Sequence, residues 1–133
     1  MTQDALARQL GELADAVLAD PRWTRDDLSV SILGMLLFGF ALMTGRTVMY
    51  LDVEDIEAAA LRCLTEHIGA AQKWSSGLIA DASASAFNKA HHPGNHELIG
   101  VGHSYFGVHD QKAVVDSIFL NIANFRRHAN DVA

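Results

Sequence analysis

Residues 28 to 45 read LSVSILGMLLFGFALMTG, an uninterrupted run of 18 without a charge. No other stretch narrows the fold as far. A run of that length reaches the lower edge of what crosses a bilayer, and an all-round apolar helix also suits the centre of a helical domain. Ser29, Ser31, Gly34, Gly39 and Thr44 dilute its apolarity, and its flanks are only weakly basic. These features predict a buried central helix and no membrane insertion. The chain of 133 residues is long enough to wrap one such helix in a single core spanning residues 1–133.

The wrapping elements announce themselves by spacing. Leu6, Leu10, Leu13 and Val17 form one helical stripe, with Asp4, Arg8 and Glu12 as a charge ladder four residues apart on another face. Pro21 ends that helix, because the residue before proline avoids the α region. Thr24 and Asp27 have the spacing of a capping box, with Trp23 and Leu28 as its staple. Segment 45–51 is a connector, in part extended. Asp52 then reads as an N-cap, with Leu51 and Ile56 as a second staple. Ile56, Ala60, Leu61, Leu64 and Ile68 continue the stripe to Gly69, which ends or kinks the helix.

In the Ala/Ser-rich fourth helix, Trp74, Leu78, Ala82 and Phe87 are expected to point inward, and the small residues would admit another helix closely. The last helix starts near Asp110 and buries Val115, Ile118, Ile122 and Phe125. Arg126, Arg127 and His128 are expected in its final turn, facing the negative dipole end. The expectation is an all-α single-domain bundle of about five helices around the hydrophobic one, with a long Gly/His-rich loop before the last.

That loop, HHPGNHELIGVGHSYFGVHD (91–110), holds five of the seven histidines and four of the ten glycines. Imidazoles invite zinc. Yet His96-Glu97 has Gly100 where a zincin needs its second His, Cys63 is the lone cysteine, and no di-iron Glu-x-x-His pair occurs. Clustering without a ligand spacing specifies no metal. Pro93-Gly94 and Asn95 suit a turn, and the following glycines suit backbone pressed against a helix or a short extended piece. We expect an ordered loop anchored by Leu98, Val101, Tyr105 and Phe106. His91, His92, His96, His103 and Tyr105 would then form a contact rim, since such groups join apolar area to hydrogen bonding.

Nucleophilic catalysis has no better support. Ser104 follows His103 without a G-x-S-x-G elbow, Cys63 sits on an apolar stripe as a small hydrophobe, and no phosphate-binding glycine loop is present. No catalytic residue, cofactor or metal is expected. A second contact candidate is DVEDIE (52–57): Asp52, Glu54, Asp55 and Glu57 exceed what capping needs. With Asp26 and Asp27 they would focus negative potential if the two helix starts lay together.

Charge points the same way. Residues 1–66 carry 11 acids against 5 bases, and residues 67–133 carry 5 of each, so the formal −6 lies in the first half. Such a surface repels nucleic acid and anionic lipid and draws basic partners. The lone cysteine and the start MTQDALARQL, which lacks a basic segment before an apolar run, suggest a cytoplasmic setting without a leader.

A small acidic domain with capped helices and no catalytic set resembles the all-α immunity proteins that bacteria encode beside polymorphic toxins; HELIGVGHSYFG is the stretch most like a family signature. The resemblance implies a cytoplasmic protein that binds and blocks a cognate toxin domain, and it assigns no residue roles. Two readings stand beside it. One is a small metal-binding protein or enzyme using residues 91–109, and the other a helical structural subunit that forms a homodimer through an apolar face.

Overall fold

The computed structural model describes residues 2–132, and every regular element in it is helical. Six helices replace the expected five: α1 (Thr2–Ala19), α2 (Asp27–Thr47), α3 (Val53–Arg62), α4 (Gln72–Phe87), α5 (Pro93–His103) and α6 (Gln111–Val132). The α1 stripe is buried as spaced, from Leu6 to Val17. Asp4, however, leaves Arg8 and pairs with Arg62 of α3 at 2.7 Å.

The uncharged helix is the hub. α2 touches each of the other helices, and 78% of its most apolar window is buried inside the protein. By length and hydropathy α2 could cross a membrane, but its apolar surface is already covered by the chain's own helices. Its N-cap is Asp26 rather than Thr24: the Asp26 carboxylate accepts from the Ser29 amide at 2.8 Å. Arg126 of α6 reaches the same place, donating to Asp26 Oδ2 at 2.9 Å and Ser29 Oγ at 2.8 Å. That is the correction for the basic cluster expected in a final turn. α6 runs on to Val132, and Arg126 spends its charge on the start of α2.

α3 begins at the Asp52 cap, whose carboxylate accepts from the Asp55 amide at 2.9 Å. It then widens into a π-helical turn, Cys63–Ile68. There Thr65 Oγ1 donates back to the carbonyls of Leu61 at 3.1 Å and Arg62 at 3.3 Å, the kind of side-chain competition that loosens an α ladder. Gly69, at φ +78, stops the helix in the left-handed region. Arg25 donates to the freed carbonyls of Ile68 and Gly69, satisfying groups that a helix end leaves open.

α4 keeps its expected phase only in part: Ala82 is buried and Leu78 half-buried, as spaced. Ser75, Ile79, Ala82 and Ser85 face inward, whereas Trp74 is 36% and Phe87 56% exposed. A helix of alanines and serines has too little amphipathicity for its large residues to set its phase, and the small face packs because it lets backbones approach. Phe87 instead lies beneath the Arg46 guanidinium, 5.8 Å from it.

The largest correction is α5. Residues 93–103 of the expected loop are helix, with Pro93 in the first turn and His92 as the cap: its Nδ1 accepts from the Asn95 amide at 3.0 Å. Proline suits that position because its missing N–H would be unpaired there anyway. The glycines do bring backbone against a helix, as expected, but from within a helix. A methyl group added at Gly39 of α2 would overlap the Ile99 carbonyl, and one at Gly102 would overlap the Leu36 carbonyl. Leu98 and Tyr105 are buried and Val101 is half-buried, but Phe106 is 36% exposed and so does not anchor the segment.

Candidate functional site

The connector from α2 to α3 carries the most exposed aromatic side chain. Val48 closes α2 by donating its amide to the Thr44 carbonyl at 3.0 Å, and Leu51 donates to the Gly45 carbonyl at 2.9 Å. To fold Leu51 onto the core within so few residues, the chain passes Tyr50 through φ +55. A non-glycine residue rarely adopts that conformation, and a bulky one does so at a cost. The result is that Tyr50 is 87% exposed beside Val48 at 54%. Neither the ring nor the isopropyl group adds to the core. The connector is a turn rather than extended chain.

The acids that follow divide by role. Asp52 is spent on the cap. Asp55 accepts from Gln3 Nε2 at 3.3 Å, which ties the start of α3 to α1. Exposed Glu54 and half-buried Glu57 make no ion pair among the described residues. The patch does not extend to Asp26 and Asp27. They stand at the opposite end of α2, a helix of 21 residues, or about 30 Å at the standard rise. Hydrogen bonding from the Ser29 amide leads the effects that hold the Asp26 carboxyl below its usual range, and Arg126 assists. The expectation of one merged acidic patch is therefore corrected.

The histidine rim also divides. His91 is exposed, its Nε2 3.5 Å from Asp81 Oδ1, and His92 is the cap of α5. His96 is half-buried and bonded through Nδ1 to the Ser85 carbonyl at 2.8 Å, so that nitrogen carries the proton and donates. His103 lies seven residues on along the same helix, with its Nε2 enclosed and without a hydrogen-bond partner among the described residues. Burial, and then the neighbouring His96, push its pKa below the ordinary value. Tyr105 is not on a rim. It is 5% exposed and exchanges a 2.8 Å hydrogen bond with Ser117, and burial raises its pKa against that bond. It is a core anchor, which removes it from the contact candidates.

His109 stands apart, lining a cleft of about 210 Å³ with Glu12, Phe40 and Val114. Among the described residues, no three His, Cys, Asp or Glu side chains converge as a metal set would. Cys63 is buried, and desolvation pushes its thiol up to about 12, the reverse of an activated nucleophile. Ser104 turns its hydroxyl back to the Val101 carbonyl.

Tyr50 and Val48 were not among the candidates read from sequence. The signal was present in VMYL, apolar residues between a core helix and an N-cap with too few positions to bury them all. No family model, curated protein or solved structure matches the chain.

Proposed function

We propose that this chain is a non-catalytic protein-binding domain that acts in the cytoplasm as an immunity-type inhibitor of a basic toxin domain. Residues 48–57 are its contact surface. The observation that carries this reading is Tyr50, strained in backbone and 87% exposed in the short connector that leads into the acidic start of α3, where Glu54 and Glu57 follow. An exposed tyrosine is the kind of side chain that anchors a binding hot spot, and unpaired acids near it in the chain would draw a basic surface. Strain kept without a return in packing is a feature of functional positions. Tyr50 would supply the desolvated anchor, and Glu54 and Glu57 would steer the encounter.

The test is neutralisation of a basic toxin encoded beside this chain's gene, with binding followed kinetically. Tyr50→Ala is expected to weaken the complex by about 30-fold or more through faster dissociation. Glu54→Lys with Glu57→Lys should instead slow association and flatten its salt dependence. A toxin neutralised equally well by both variants would overturn residues 48–57 as the surface. Failure of the wild-type chain to neutralise it would overturn the inhibitor reading.

A further inference from the structure

α4 presents to solvent a face that serves no fold. Lys73, Trp74, Gly77, Ala80 and Asp81 are all exposed on it. They line one open trough of about 890 Å³, whose lining also includes Ser31 of α2. A methyl group built on Gly77 would meet nothing within 4 Å, so the glycine is not needed by this chain's own packing. A glycine in a helix interior costs stability relative to alanine. What it provides is room for another backbone.

The charges on this face choose the occupant. Lys73 and Asp81 lie four residues to either side of Gly77, and Trp74 and Ala80 lie three to either side. Lys73 makes no ion pair among the described residues. Asp81 is 64% exposed, and its one ion pair among the described residues is the 3.5 Å contact with His91. In an isologous two-fold contact, residue i meets residue j and j meets i. With the two helices antiparallel, a dyad through Gly77 sets Lys73 of each copy against Asp81 of the other, and Trp74 against Ala80, whereas a parallel pair would set Lys73 on Lys73. Residues 73, 77 and 81 form one ridge at four-residue spacing, which packs on an identical ridge at a crossing of about −50°.

We propose that α4 is the two-fold interface of a homodimer, in which a second copy of this chain crosses at Gly77 and pairs Lys73 with Asp81 in both directions. This inference is independent of the inhibitor reading, because residues 48–57 lie on other elements.

The test is sedimentation equilibrium over a concentration series. The wild-type chain is expected to approach twice its 14.4 kDa mass. Lys73→Asp and Asp81→Lys each place like charges opposite one another twice, and each should weaken self-association by about 100-fold or more. Mixed in equal amounts, the two variants bring only opposite charges together, so they are expected to associate with one another about as well as the wild type does with itself. That rescue distinguishes a lost contact from a lost fold. Gly77→Gln should abolish the dimer while leaving the helical signal and melting transition of the diluted chain intact. A wild-type chain of single mass at every concentration would overturn the proposal and leave the face to a different occupant. Dimers that persist in both charge variants, or variants that do not combine, would also overturn it.

Discussion

Gly39 and Gly77 are both helical glycines, and they stand in opposite surroundings. At Gly39 a methyl group would overlap the Ile99 carbonyl, and across the crossing Gly102 lies equally tight on Leu36. At Gly77 the same methyl would meet nothing. In the first place the missing side chain is where two backbones touch, close enough for Cα–H groups to face carbonyl oxygens. In the second it leaves only a solvent-filled trough. A glycine in a helix is thus explained by what occupies its empty side, and the α2–α5 crossing and the outer face of α4 give the two possible answers.

The comparison can be broken at several points. Leu36 has no exposed surface and its carbonyl faces Gly102. Leu36→Ala is expected to lower stability by about 2–5 kcal/mol, and an unchanged denaturation midpoint would show that the crossing does not bear on the core. Gly39→Ala should cost about 1–3 kcal/mol through overpacking, although alanine is the better helix former. A neutral or stabilising result in chemical denaturation would contradict the close approach. Asp52→Ala, at an exposed cap, should fall below both at about 1 kcal/mol; no change in unfolding free energy would remove Asp52 from the start of α3. Gly77→Ala carries the smallest effect and the opposite sign. Measured at dilution, it should stabilise by about 0.5–1 kcal/mol, and a destabilised variant would mean that the α4 face is packed within the single chain.

Sequence reading succeeded where large apolar residues set the phase. Leu6 to Val17, Ile56 to Ile68 and Val115 to Ile122 occupy the core as spaced, and the uncharged run is the hub. In α4, Ala82 and half-buried Leu78 face the core as expected, but Trp74 and Phe87 do not, because alanine and serine carry too little hydrophobic contrast to fix the phase. Sequence reading missed α5 because Pro93-Gly94 suits a turn as well as a helix start. Only tertiary contact with Gly39 settles which, since three glycines give the segment little intrinsic preference for helix. At the site, the Asp52 cap was legible in local spacing. Tyr50 was not, because its conformation follows from the distance over which Leu51 must return to the core. Tyr105 is the anchor its spacing suggests and not the rim residue its chemistry also allows, because an amphipathic side chain suits an edge or, given a partner such as Ser117, the interior.

The α2–α5 crossing also bears on synthesis. A chain leaving the ribosome exposes the uncharged stretch of α2 well before α5 exists, because α2 ends at Thr47 and α5 begins only at Pro93. During that interval the stretch has the length and hydropathy that targeting factors take for a membrane segment. Arrested nascent chains ending at His92 are expected to bind targeting factors or chaperones, and chains extended through Val132 to release them. Equal binding at both lengths would show that α5 and α6 are not what shields the nascent helix.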